Sequence, residues 1–236
     1  VRANIDVIIP TFNEEVNLPH ALMSVKDWAR RVFVVDSESS DKTREVAAAH
    51  GATVVVRPWM GYAKQKNWAL EHLELTSAWV FILDADEVVL PELRDELLAV
   101  AQKPVESVAE KGFWINRYFV FMGQRIRHCG YYPSWNLRFF RRGMAKYEVR
   151  EVHEHMLVDG AVGRLAGHLE HHDRRGLETY MAKHNTYSTL EARAIFEHGL
   201  AQGSGVGGVG DGGGAMGGKM LGNEIERRRW VKQTII

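Results

Sequence analysis

The N-terminal part of the chain alternates between short, almost unbroken apolar runs and stretches whose apolar positions recur with helical spacing. Ile5-Asp6-Val7-Ile8-Ile9-Pro10 is a β-branched run stopped by proline. The polar Thr11-Phe12-Asn13-Glu14-Glu15 follows, and residues 17–28 carry the helical period. Val32-Phe33-Val34-Val35-Asp36, the turn Ser37-Glu38-Ser39-Ser40 and a helix over residues 41–50, closed by Gly51, repeat the unit. A third run, residues 52–57, passes through the loop Pro58-Trp59-Met60-Gly61-Tyr62 into helical residues 63–70. Three strand–helix units in succession predict a parallel sheet with right-handed crossovers.

The fourth run, Trp79-Val80-Phe81-Ile82-Leu83, has no polar interruption and ends on Asp84-Ala85-Asp86-Glu87. Such a run is a strand buried on both faces. It brings carboxylates to the sheet edge where ligands of α/β folds bind, and Asp84 and Asp86 can share a hard divalent cation that also touches phosphate. The same acids would also serve as an acidic lead-in to the helix opened by Pro91. Thr11 and Asn13 suit either hydrogen bonds to a base or ribose, or helix capping. Lys64 and Lys66 oppose the dipole of the helix whose start they occupy; a bound phosphate would relieve that conflict, and solvated lysines are the plainer alternative.

Composition narrows the field. The 236 residues, 45% of them hydrophobic, suffice for a full core in one domain, with or without an extension. Lys+Arg and Asp+Glu both number 30, so no global basic field points to nucleic acid. One cysteine, Cys129, excludes an internal disulfide framework and a cysteine-rich zinc site, as suits a reducing compartment. No signal peptide is visible, and no apolar run reaches the roughly 18 residues needed to cross a bilayer. The expectation is a soluble, cytoplasmic protein or one attached peripherally to the inner face of the membrane.

Beyond residue 102 the pattern changes. Residues 104–111 form a linker, and the aromatic-rich residues 112–123 are expected as a strand pair or a strand and loop. Their aromatics serve core packing or stack on a sugar. Asn136-Leu137-Arg138-Phe139-Phe140-Arg141-Arg142 is a strand whose Arg138 and Arg141 could reach a diphosphate. In Val152-His153-Glu154-His155-Met156 the two histidines share one strand face and Glu154 points to the other. His168-Leu169-Glu170-His171-His172-Asp173 is the tract richest in metal-capable side chains, and residues 177–200 carry a long helical pattern.

Three motifs, in this order and spacing, resemble family-two glycosyltransferases: Ile8-Ile9-Pro10-Thr11-Phe12-Asn13-Glu14-Glu15, Val34-Val35-Asp36-Ser37-Glu38-Ser39-Ser40-Asp41-Lys42-Thr43 and Asp84-Ala85-Asp86-Glu87. The resemblance covers roughly residues 5–100. It implies a GT-A fold: α/β, Rossmann-like, with a mostly parallel sheet flanked by helices, as one domain with a helical C-terminal extension. Residues 1–200 would form that domain, with a nucleotide-sugar-binding half over 1–102 and an acceptor half over 103–200. Pro10, Thr11, Asn13 and Glu14 would border the nucleotide, Asp36 and Ser37 would meet the uracil or ribose, and Lys64, Lys66, Asp84, Ala85 and Arg138 would contact the donor.

The resemblance further implies that Asp84 and Asp86 form an Asp-x-Asp motif for Mn²⁺ or Mg²⁺, which bridges two phosphates and stabilises the leaving nucleotide. His171 or His172 would complete the metal shell, with His172 preferred. Many relatives carry a second acid and a glycine where this chain has Ser37 and Glu38. Val152-His153-Glu154, with Trp135 and Arg138-Phe139-Phe140-Arg141, is similar to lipopolysaccharide-core glucosyltransferases. Glu154, with Glu151 behind it, is the candidate base for the acceptor hydroxyl, and His153 would contact metal or phosphate. The expected reaction is inverting transfer of a hexose, from a UDP-sugar, to a saccharide or lipid-linked acceptor of the cell envelope.

Two rivals stand beside that reading. Leu83-Asp84-Ala85-Asp86-Glu87-Val88 also fits the nucleophile motif of haloacid-dehalogenase-like phosphatases, but no convincing downstream lysine and acidic pair follows. The other is a non-catalytic saccharide-binding module on the same fold. Residues 201–222 are a glycine-rich flexible loop whose match to a dinucleotide fingerprint is compositional. Residues 223–236 form a basic helix suited to an anionic membrane or to an ordinary surface, and the terminal Ile235-Ile236 suggests that the protein continues beyond this chain.

Overall fold

The computed structural model describes residues 2–148, 156–186, 188, 189 and 192. The chain divides into two compact units, Val1–Gly176 and Leu177–Ile236.

In the first unit, strands β1 (Ile5–Thr11), β2 (Arg31–Asp36), β3 (Thr53–Val56) and β4 (Trp79–Ile82) are joined by helices α1 (Leu18–Val25), α2 (Thr43–Ala49) and α3 (Tyr62–His72). These three strand–helix units lie where the periodicity places them. Strand β5 (Glu87–Val89) and helix α4 (Pro91–Ala101) follow, then β6 (Gly112–Phe121), β7 (Gln124–Ile126), β8 (Trp135–Arg141), β9 (Ala145–Tyr147), β10 (Met156–Val158) and β11 (Val162–His171). The aromatic stretch is therefore a long strand and a short hairpin partner.

The main sheet runs β3-β2-β1-β4-β8-β6-β11-β5, with β7 pairing on β6, and β9 and β10 form a separate antiparallel pair. Strands β3, β2, β1 and β4 are mutually parallel, and β6 and β11 are parallel to each other. Strand β8 runs antiparallel between β4 and β6, and β5 antiparallel at the edge beside β11. The mixed C-terminal half arises because β5, β7 and β8 are reached by short connections, which can only reverse the chain.

Alternation along the buried strands feeds two cores. Ile5, Val7, Ile9, Trp79 and Phe81 join α1 and α4 on one face, while Ile8, Val80 and Ile82 join α3 on the other. Both faces are covered, which accounts for the unbroken apolar runs. At the opposite end from the acids, buried Asp6 accepts hydrogen bonds from Thr76 N, Ser77 N and Ser77 Oγ and from Arg31, fastening β1, β2 and the approach to β4. Helix α4 approaches β11 so closely that a Cβ at Gly167 would lie 2.4 Å from the Leu93 backbone. That contact and the Glu96 carboxylate, which accepts from the Ala166 amide at 2.8 Å within a β11 irregularity, set the course of the strand carrying His171.

In the second unit, residues 177–186 are helical, and Tyr180 packs on His184 one turn later at 3.9 Å between ring centroids. Glu151, His153, Glu154, His155, the glycine-rich 201–222 and the basic 223–236 lie outside the described residues.

Candidate active site

Strands β1, β2 and β4 end together at the carboxyl edge of the sheet, and β1 is the strand on whose two sides the connections diverge, a position where α/β sheets open a crevice. Two turns build one wall. The Thr11 hydroxyl donates to Asp36 Oδ1 at 3.1 Å and the Ser39 amide to Asp36 Oδ2 at 2.9 Å. Asn13 Oδ1 accepts from the Ser40 amide, and the Glu14 amide donates to Thr43 Oγ1 at 2.8 Å. Asp36 is fully buried, so its carboxylate shapes the turn from beneath, and Thr11 is spent on it. Ser37 is buried as well; its hydroxyl accepts from Gln65 Nε2 at 3.2 Å, and Gln65 Oε1 has no hydrogen-bond partner among the described residues. Pro10 lies within β1, opposite Val35.

Glu38 adopts φ 60°, the left-handed region that an L side chain enters at a cost of about 1–2 kcal/mol. Glu38→Gly is therefore expected to stabilise the domain by about 1 kcal/mol, after allowance for the larger unfolded-state entropy of glycine. Urea unfolding of the two proteins checks this, and a loss of stability would show that the Glu38 side chain makes a compensating contact.

The acids at the end of β4 divide into two groups. Arg138 Nη1 donates to Asp84 Oδ1 at 3.1 Å and Nη2 donates to Asp84 Oδ2, while Lys66 Nζ stands 3.8 Å from Asp84 Oδ1. Glu87, fully buried, accepts from Arg138 at 3.3 Å and Arg117 at 3.2 Å and takes the Asp84 amide on its other oxygen at 3.1 Å. Burial alone would raise the Asp84 pKa, but Arg138 and Lys66 hold the carboxyl well below the usual range. Two acids and three cations thus share one partly buried cluster. Lys66 also lies over the Tyr147 ring at 4.9 Å, and Tyr147 is held to α3 by paired hydrogen bonds with Asn67.

Asp86 faces elsewhere. Its Oδ2 lies 3.1 Å from His171 Nε2, and its carbonyl accepts from the His172 amide at 2.8 Å. Burial pushes the His171 pKa down, yet the Asp86 carboxylate outweighs it and raises the value above the ordinary one. His172, just past the end of β11, meets Asp86 through its backbone amide, and burial together with Arg174 lowers its pKa. Among the described residues no three His, Cys, Asp or Glu side chains converge as a metal cage. Asp86 and His171 nevertheless fit a divalent ion, because adjacent ligands of an octahedral ion with bonds near 2.1 Å are about 3 Å apart, and such an ion takes most of its other ligands from phosphate and water. Asp84, the expected second ligand, has both oxygens on Arg138.

After β11 the chain folds back on the first turn. Arg175 bonds to Asp173 through two nitrogens, at 2.9 and 2.7 Å, and stands 3.1 Å from Glu14 Oε1. Buried Asn17 donates to Asp173 and accepts from the Arg174 amide. Asp173 and Arg175 thus lock residues 172–175 onto the β1–α1 turn.

The expected residues are therefore not one constellation. Lys66 enters the cluster while Lys64, two residues earlier on α3, is exposed. Ala85 is buried in the turn between the acids. Arg141 pairs with Trp79 at the start of β4, five residues or about 17 Å of strand before Asp84, so it cannot join Arg138 there. Glu87, Arg117 and Arg175 carry site structure that motif reading did not assign. Arg117 had a signal, since strand alternation places it on the core side with Phe113 and Ile115.

Residues 6–161 match the profile of glycosyl transferase family 2. The chain belongs to this family. Of similar proteins, the lipopolysaccharide core biosynthesis glycosyltransferase LpsC of Rhizobium meliloti is 32% identical over 206 residues, covering 83% of this chain and 73% of LpsC. An uncharacterized glycosyltransferase of Rickettsia bellii is 45% identical over 93 residues, 39% of this chain and 31% of that protein. Its match thus spans about a third of that relative's length. The S. aureus TarS 1-349 structure in complex with UDP superposes with TM-score 0.44 at 20% identity over 59% of this chain and 47% of that one. Family membership sets the phosphatase reading aside, since the Asp84 motif lies after three strand–helix units in a glycosyltransferase framework.

Proposed function

We propose that the chain is the catalytic domain of an inverting glycosyltransferase that moves a hexose from a nucleotide sugar, a UDP-sugar, to a saccharide or lipid-linked acceptor in cell-envelope glycan or lipopolysaccharide biosynthesis. The observation that carries this reading is the split of the β4 acids: Asp86 pairs with His171 while Asp84 and Glu87 hold Lys66, Arg117 and Arg138 beside them at the sheet's carboxyl edge. The 32% identity to LpsC supports the substrate class.

In this reading the two turns, Pro10 to Glu14 and Asp36 to Ser39, receive the base and ribose. Asp36 gives the turn its shape, and Ser37 with Gln65 offers polar atoms beneath the base. Asp84 and Glu87 orient Arg138, and Lys66, beside Asp84, is a second positive charge for a diphosphate. Asp86 with His171 would hold Mn²⁺ or Mg²⁺. That ion would offset the negative charge developing on the departing nucleoside diphosphate. Glu154, with Glu151 as the second choice, takes the acceptor hydroxyl's proton. His153 remains a proposed phosphate or metal contact, and His172 is the weaker proposal for the metal beside His171.

Calorimetric titration of UDP in the presence and absence of Mn²⁺ tests the donor half. Metal-dependent binding is expected, followed by a product of inverted anomeric configuration when UDP-hexoses are supplied with a truncated lipopolysaccharide acceptor. Absence of UDP binding with either metal would overturn the UDP-sugar assignment.

A further inference from the structure

The loop joining β3 to α3 stands at the same carboxyl edge, tied to the Asp36 turn by the Arg57 amide, which donates to the Asp36 carbonyl at 2.8 Å. Val56 is 49% exposed, Trp59 49%, Met60 50% and Tyr62 40%, and Phe12, on the neighbouring β1–α1 turn, is 56% exposed. Four large apolar side chains this exposed within seven residues are unusual for a surface in water, and they mark an interaction face. The loop is also shaped. Trp59 packs edge-on against Tyr62 at 4.7 Å between centroids, Gly61 makes the turn at φ 98°, and Arg57 lies over the Trp68 ring at 4.3 Å.

Charge identifies the partner. Residues 46–70 contain no aspartate or glutamate, in a chain with 30 of them, while Arg57, Lys64 and Lys66 fall within that stretch. Lys66 turns inward and Lys64 outward. A cluster of tryptophan, tyrosine and methionine with Arg57 and Lys64 in the same segment has the chemistry of a stretch seated in the headgroup region of an anionic bilayer.

We propose that residues 56–64 form a membrane-seating loop that inserts Trp59 and Met60 among anionic lipids. Seated in this way, the loop holds the carboxyl edge of β1, β2 and β4 close to the lipid surface, so that an acceptor anchored in the membrane meets the nucleotide-binding turns without leaving its bilayer. The proposal rests on the exposed loop and its charge, and it stands whether or not the donor is a UDP-sugar.

The test is flotation of the full chain with vesicles of phosphatidylcholine alone or with phosphatidylglycerol at about a third of the lipid. Binding to the anionic vesicles is expected, weakening as salt is raised. Trp59→Ser with Met60→Ser is expected to weaken it roughly tenfold or more, since two partly inserted apolar side chains are removed. Neither residue is placed in the site, so circular dichroism and UDP titration of the variant should match the parent. Brominated lipids should quench parent fluorescence more than that of Trp59→Phe. Three results would overturn the proposal: no binding to anionic vesicles, binding unchanged in the double variant, or a loop-dependent dimer in sedimentation velocity that does not float with lipid.

Discussion

Replacement of Arg138 by methionine is expected to lower the unfolding free energy by about 3–5 kcal/mol, a large fraction of the stability of a domain of this size. The arginine is almost wholly buried and contacts both Asp84 and Glu87. Methionine fills similar space but leaves Glu87, itself fully buried, with Arg117 and the Asp84 amide alone. The loss is larger than for a surface ion pair because no water can replace the missing cation at Glu87. Urea unfolding at neutral pH gives the magnitude.

Acid titration of the same pair of proteins gives the cause. The folded Asp84 pKa is depressed, so its contribution is fully present above the unfolded value of about 3.9 and is lost as pH falls toward the folded value. The parent should therefore lose stability below about pH 4 more steeply than Arg138→Met, and the two curves should converge in acid. Parallel curves would show that the cost comes from packing and not from the carboxylates.

Asp86→Asn has the largest expected effect on turnover. Asparagine keeps the shape and can still hydrogen-bond to His171, so folding should be little changed. What it lacks is the negative charge that the proposed metal site requires. UDP affinity in Mn²⁺ is expected to fall to its metal-free level, and transfer by roughly 10²–10³-fold, the scale seen when one preorganised electrostatic group is removed from an active site. The matched control is Asp84→Asn, which should weaken the Arg138 contact and lower stability with a smaller effect on metal dependence. Equal metal dependence in both variants would return the ion to a shared Asp84 and Asp86 site.

These two outcomes separate functions that the linear motif joins. Asp84-Ala85-Asp86-Glu87 reads as one acidic cluster, yet its members divide: Asp84 and Glu87 meet on Arg138, and Asp86 faces His171. His171 and His172 are likewise neighbours in sequence, yet His171 meets Asp86 through its ring and His172 through its backbone amide. Arg138 and Arg141 show the same effect along a strand, since the antiparallel register of β8 on β4 carries one to the acids and the other to the opposite end.

By itself the sequence determined the family, the three strand–helix units and the edge at which chemistry would gather. Those follow from local rules: a buried parallel strand must be apolar throughout, a helix must repeat near every fourth residue, and turns at strand ends must be polar. It also singled out Asp84, Asp86 and Lys66, which the structure brings to the carboxyl end of β4. The tertiary structure alone decided which carboxylate meets which cation, that Glu87, Arg117 and Arg175 belong to the site's framework, and that Asp36 is committed to its own turn. The physical reason is that burial and pairing depend on strands far apart in the chain: β8, β6 and β11 bring Arg138, Arg117 and His171 to the end of β4 from 30 to 85 residues away, and no local pattern records such a distance.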